Sequence, residues 1–253
     1  MLSRGHRDER KHSLPAKSLS EEELNALRRI DTCTVANAIE SFNVRLRNTG
    51  FADDRVRCIL PDLPPMLGYA VTARLSSGEP PIGGGTFRDR ADFWNRILEI
   101  PAPRVLVLED IDDQPGRGAF VGNAQAAMFK ALGCIGYVTN GAVRELPSVR
   151  AMNFHLFAGS VTVSHAYAHI FEIGSVVTVG GLEVQPGDLL HGDRHGVLTV
   201  PRQVAAKVPA AAERLRLREQ RLLEFCQSPT FSVEGLQDFV KTLQQEKEPL
   251  VQD

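Results

Sequence analysis

The sequence predicts a layered α/β domain with helical additions at both ends, and three observations carry that expectation. Between Arg104 and Val163, apolar strand-like runs alternate with helical spacing at the pace of parallel crossovers: "RVLVLED", "NAQAAMFKAL", "CIGYVT", "RELPSVRAM", "HLFAGSVTV". From Ser175 the texture changes to short β-branched runs divided by Gly-Gly, Pro-Gly-Asp and "GDRHG", which suits hairpins. The two ends are charged and helix-forming.

Taken in order, residues 1–17 read as a disordered tail and 18–253 as one α/β domain. Ser20 can cap a helix over "SLSEEELNALRRI" with Glu23 completing a capping box. "DTCTVANAIESF" follows as a second short helix capped by Asp31 or Thr32. Arg45 to Pro65 is rich in turn formers and should be loop with one short strand, whereas "GYAVTARL" alternates like a strand. "SSGEPPIGGGTF" is loop, and Gly83 to Phe87 within it reads as a mobile flap, since no Gly-Lys-Ser/Thr follows to make a phosphate loop. In "RDRADFWNRILEI", Phe93, Ile97 and Ile100 fall on one side of a helix. Gly133 can terminate the helix "NAQAAMFKAL". After the hairpins come one long charged helix, "QVAAKVPAAAERLRLREQRLLEFCQ", and a last amphipathic one, "SVEGLQDFVKTLQQ".

Composition narrows the function classes. The chain has 253 residues, 43% hydrophobic and 24% charged, as in ordinary globular proteins. A formal net charge of -2 gives no global basic field to draw nucleic acid or a membrane surface as partner. No apolar run approaches the roughly 18 residues of a membrane span. The N-terminus carries Asp8 and Glu9 and no apolar region, which speaks against a secretory signal. Cys33, Cys58, Cys134 and Cys226 form no CxxC pair and read as reduced, mostly buried thiols of a cytoplasmic protein.

Two strand ends carry unusual chemistry. One leads into "GRGAFVGNAQAAM", where small residues surround a helix start that Asn123 can cap, and backbone N–H groups at such a start favour an anion. The other is "CIGYVTNGAVREL", which delivers Arg144 and Glu145 just past a buried strand. If the two strands are neighbours, an anion cradle and an Arg/carboxylate pair face one crevice, as ligand sites of open α/β sheets do. The plain alternative makes Arg144 and Glu145 the polar first turn of a helix.

"GCIGYVTNGAVREL" resembles the G-x-x-G-x-V-x-(N/D)-G-x-(V/C)-R-D signature of the 4-hydroxy-4-methyl-2-oxoglutarate aldolase family, which also includes the regulator of ribonuclease activity A. The resemblance runs from about Leu19 to Pro229, through "LGYAVTARL", "GAFVGNAQAAMFKALG", "SHAYAHI" and "PGDLLHGDRHGVLTVP". It implies a β/β/α swivelling-type fold, a homotrimer or hexamer, and a lyase using Mg²⁺ or Mn²⁺ on a small 2-oxo acid. Arg144 then matches the arginine that contacts the 2-oxo acid, and Glu145 stands where the family has its metal-binding aspartate. The backbone of Gly122, Asn123, Ala124 and Gln125 would hold the substrate carboxylate. Asn123 stands where a carboxylate supports the ion's water, and Glu219 matches a glutamate contributed by an adjacent subunit.

Glu145 is one methylene longer than aspartate, and Asn123 can orient water but cannot take a proton. Those two departures keep a non-catalytic, protein-binding regulator as the competing reading. His165 with His169, and His191 with His195, are spaced four apart but lie in β-like or turn-like sequence, so hydrogen-bonded structural histidines are expected ahead of a zinc site. "DRHG" reads as a hairpin turn, and Trp94 and Arg88 are candidates to line the rest of the substrate pocket.

Overall fold

The computed structural model of the protein describes residues 18–82 and 91–245. The expected tail over 1–17, the flap from Gly83 to Phe87, and Arg88 lie outside the described residues.

Two helices open the described chain, α1 (Glu21–Arg28) and α2 (Thr32–Glu40). Ser20 makes the full capping box with Glu23. Of the two candidate caps for α2, Asp31 takes the position, accepting from the Thr34 amide at 2.9 Å and its hydroxyl at 2.7 Å. The turn-rich stretch holds the short strand β1 (Arg57–Cys58), and β2 (Met66–Ser76) follows. The crossover region comprises α3 (Ala91–Glu99), β3 (Arg104–Asp110), β4 (Ala119–Val121), α4 (Asn123–Ala131), β5 (Cys134–Thr139), β6 (Ala142–Val143), α5 (Leu146–Ala151), β7 (His155–Ala158) and β8 (Ser160–Val161). After β9 (His169–Ile173) come two hairpins, β10 (Val177–Val179) with β11 (Leu182–Val184) and β12 (Leu189–Asp193) with β13 (Gly196–Val200). The last helices are α6 (Arg202–Ala205), α7 (Val208–Cys226) and α8 (Val233–Gln245).

The main sheet runs β1-β7-β5-β3-β2-β12-β13, with β9 on the distal part of β2. Strands β2, β3, β5 and β7 are parallel, as the alternating pattern requires, and β12 returns antiparallel to β2. The end strands β1 and β13 approach one another, so the sheet is nearly closed. Alternation along β3 explains the layers: Leu106 and Leu108 face a cluster built with the helices, through Phe93, Ile97, Ala126 and Phe129. Val105 and Val107 face the other way, onto Val177, Val179, Leu182 and Val184 of the β10–β11 hairpin. Hairpin, sheet and helices are the three layers of the expected β/β/α arrangement. Both faces of the parallel strands are buried, which is why they read as continuous apolar runs.

Three local expectations need correction. The long C-terminal helix is two helices, because the ring of Pro209 in an uninterrupted helix would meet the carbonyl of Ala205. "HLFAGSVTV" divides at Gly159, where a Cβ would lie 2.3 Å from the Asn140 carbonyl oxygen, and the chain leaves the main sheet there. Of the four thiols only Cys134 is buried; Cys33 and Cys226 are exposed and Cys58 is intermediate. The buried face of α2 is Thr32, Val35, Ala38 and Ile39, which leaves Cys33 on the outer side.

Candidate active site

A small second sheet of three parallel strands, β4-β6-β8, stands beyond the carboxyl ends of β3, β5 and β7 and displays the site. Two side chains fix its footing. Asn140, at the end of β5, accepts from the Asp110 amide through Oδ1 at 2.7 Å and donates to the Asp110 carbonyl through Nδ2 at 2.9 Å. The Asp110 carboxylate in turn accepts the amides of Gly116, at 2.8 Å, and Asp112, at 3.2 Å. Gly141 passes so close that a Cβ would lie 2.9 Å from Asp110 Oδ2, which is the physical demand behind Asn-Gly here. Its carbonyl accepts from the amides of Gly159 and Ser160 and so starts β8 beside β6. Burial pushes the Asp110 carboxyl up, against the pull of its two amide donors. Asp112 accepts from Ser76, Ser77 and Gly78 and ties the end of β2 to the same edge.

From this platform β4 leads into Gly122 and α4, and β6 leads into Arg144 and Glu145. The two paths run parallel, so the cradle and the Arg/carboxylate pair share one crevice, as the sequence suggests. Asn123 does not cap α4. Gly122 is the N-cap residue and Asn123 the first residue of the helix, because the cap comes from elsewhere in the chain. Glu145 Oε2 accepts from the Asn123 amide at 2.6 Å, and Glu145 Oε1 accepts from Arg144 Nη2 at 2.9 Å. A Cβ at Gly122 would lie 2.5 Å from Glu145 Oε2, so only glycine admits this carboxylate. The Asn123 amide first, and then Arg144, hold the Glu145 carboxyl below the ordinary glutamate range. Glu145 itself sits in left-handed backbone, with φ 57 and ψ 41, outside α5. Arg144 and Glu145 are therefore not the first turn of a helix. They form a turn held across to α4, with about 1 kcal/mol or more of backbone strain offset by those contacts.

Asn123, Ala124 and Gln125 are the first three residues of α4, and their amides have no carbonyl a turn behind them. Arg144 is 27% exposed at the side chain and Glu145 40%, so both are open to a small ligand. Glu219 is exposed on α7, which packs mainly on α1, α2 and α8, whereas α4 packs on β4, β5 and α5. The contacts within this chain do not bring Glu219 to Arg144. Trp94 packs against the helix-side core. His191 is buried on β12, its Nε2 donating to the Leu27 carbonyl at 3.3 Å and its Nδ1 facing the Thr32 hydroxyl at 3.0 Å, a structural role. His195 lies in the β12–β13 turn against Asp193, and His165 and His169 bond to nearby carbonyls. Neither histidine pair lies on a helix.

Sequence reasoning passed over Asp110, Asp112 and Ser77. The available signal was an acid closing an apolar strand ("RVLVLED"), where a buried carboxylate must find donors.

Among the described residues, no three His, Cys, Asp or Glu side chains are grouped to hold an ion. Glu145 is one ionised, half-exposed carboxylate with one donor on each oxygen, which leaves a lone pair free on each. That donor set fits a hard dication that keeps most of its waters, of the Mg²⁺ or Mn²⁺ kind.

The site lies beyond the carboxyl ends of parallel strands in a layered α/β fold, the place where ligands of open α/β proteins tend to sit. The family model for RraA-like proteins, described as Aldolase/RraA, matches residues 32–199, and the chain belongs to that family. A curated protein of Halalkalibacterium halodurans, named "Putative 4-hydroxy-4-methyl-2-oxoglutarate aldolase", is 34% identical over 85 residues, which cover 33% of this chain. The match spans 40% of that relative's length. A crystal structure of an uncharacterised protein from Pseudomonas syringae pv. tomato superposes with a TM-score of 0.68 at 22% identity, over 91% of this chain and 99% of its own. Streptomyces coelicolor RraAS2, described as an unusual member of the RNase ES inhibitor RraA family, superposes at 0.62 and 22% identity, over 81% of this chain and 98% of its own. These likenesses confirm the fold.

Proposed function

We propose that the protein is a divalent-metal-dependent lyase that cleaves or decarboxylates short 2-oxo acids. One observation carries the reading: Arg144 and the first amide of α4 converge on a single carboxylate, so the crevice is already arranged around an anion. The relative named as an aldolase points to the same chemistry.

Breaking a carbon–carbon bond beside a 2-oxo acid leaves the enolate of pyruvate, whose charge needs a donor. Arg144 is placed to donate to that oxygen, and removing a comparable donor costs about 10²–10³ in turnover. The amides of Asn123, Ala124 and Gln125 would hold the substrate carboxylate. Glu145 would hold the ion, which when bound supplies Lewis-acid polarisation of the 2-oxo group. The Asn123 side-chain carboxamide can orient water but cannot accept a proton, so the alcohol deprotonation of an aldol cleavage needs another group. Glu219 of a neighbouring subunit is our candidate, in a homotrimer or hexamer. Decarboxylation of oxaloacetate needs no such base and should be the easier reaction. We place the protein in the cytoplasm, without nucleic-acid or membrane partners; among the described residues no helix is long and apolar enough to cross a membrane.

Pyruvate release from oxaloacetate with Mg²⁺ or Mn²⁺ tests this, with turnover expected to fall at least about 10²-fold in Arg144→Ala. Unchanged release in that variant removes Arg144 from the mechanism. The second reading, a non-catalytic protein-binding regulator, draws on Asn123 and on the engagement of Glu145 with α4. It prevails if calorimetry finds neither Mg²⁺ nor Mn²⁺ binding and no heat from pyruvate in their presence.

A further inference from the structure

We propose that the Glu145 carboxylate is a built-in competitor for the anion position of the crevice, so that a ligand carboxylate enters only by displacing it. The inference rests on the reading of the crevice given under Proposed function. It adds that the free protein is self-occupied.

The geometry is that of a bound carboxylate. One oxygen takes the α4 amide of Asn123 at 2.6 Å and the other takes the Arg144 guanidinium at 2.9 Å. Both are among the donors assigned above to a small 2-oxo acid, and the missing Cβ of Gly122 is the space the Glu145 carboxylate uses. The reach depends on side-chain length. With one methylene fewer, an aspartate at the same backbone position would stop short of the Asn123 amide, so the self-occupied state belongs to the glutamate in this chain.

A second helix start shows what a permanent carboxylate cap looks like in the same fold. The first amide of α2, at Thr32, donates to Asp193 Oδ2 at 2.9 Å, while Asp193 Oδ1 also receives the amide and ring of His195. The Asp193 side chain is only 8% exposed and sealed by these contacts. Glu145 has one partner on each oxygen and a side chain 40% exposed. One carboxylate is locked in place; the other is exchangeable.

A competitor tethered to its own site lowers apparent ligand affinity by the fraction of molecules in which the site is open. If the grip is worth what a helix cap usually is, that fraction is about one in ten.

The test is calorimetric titration of the full-length protein with pyruvate, chelator present, so that no turnover or metal contributes. Glu145→Ala should bind pyruvate about ten-fold more tightly than the wild type, or more. Glu145→Asp, which keeps the charge but shortens the reach, should show a smaller gain in the same direction. Equal, weaker or undetectable binding in both variants overturns the proposal. If circular dichroism shows Glu145→Ala unfolded, Glu145→Asp decides alone. The lyase reading fails separately: a gain in affinity without any oxaloacetate turnover by the wild type keeps the competitor and sinks the enzyme, and turnover without the gain does the reverse.

Discussion

Replacing Asn140 by alanine should detach the platform of the site from the main sheet. The wild-type side chain makes two hydrogen bonds to the backbone of Asp110, accepting at 2.7 Å and donating at 2.9 Å. Asp110 is 2% exposed, so its amide loses a partner where little water can replace it. Two net hydrogen bonds at about 1 kcal/mol each, with part of the desolvation cost of a stranded amide, put the loss at about 2–4 kcal/mol. Urea denaturation at fixed protein concentration measures it, with the slope m unchanged if the change lies in the folded state. Asn140→Asp sharpens the argument. It keeps the acceptor for the Asp110 amide but faces an oxygen to the Asp110 carbonyl and adds charge beside a buried carboxylate. That variant should be at least as unstable near neutral pH and should recover as acid protonates the new carboxyl and restores a donor. A loss below about 0.5 kcal/mol in Asn140→Ala, or no recovery of Asn140→Asp in acid, refutes the clamp.

Two further outcomes follow from His155, which is partly buried, and His191, which is buried. Burial alone pushes the His155 imidazole down to about 4 from an ordinary 6.5. Its contribution is complete above about 6.5 and is lost as pH falls toward 4, by roughly 3 kcal/mol at the acid end, so His155→Gln should flatten the acid limb of stability measured by urea titration at stepped pH. His191→Ala leaves the Leu27 carbonyl and Thr32 hydroxyl facing a cavity between α1, α2 and β12. It should cost about 2–4 kcal/mol by thermal or chemical unfolding.

Much of the molecule was legible in the linear order of residues because the forces involved are local. The capping box at Ser20, the Asp31 cap, the amphipathic face of Phe93, Ile97 and Ile100, and the glycine at the end of α4 all act within a turn or two of helix. The alternation of β3 between two clusters is likewise written in its own residues. The motif around Arg144 carries the family resemblance, and β3 and β5 are parallel neighbours, as the alternating pattern implied.

What the linear order does not contain is who satisfies whom across distance. Asn123 has the chemistry of a cap, yet it lies one residue inside the helix because Glu145, 22 positions on, arrives over Gly122 with a stronger acceptor. Asn140 and Asp110 lie 30 residues apart and each is unremarkable alone; adjacency of two strand ends makes them a clamp. Local propensity sets which elements form, because it depends on neighbours in sequence. Tertiary structure alone decides which donor meets which carboxylate, because desolvated polar groups take whatever partner the packing of the sheet brings within 3 Å.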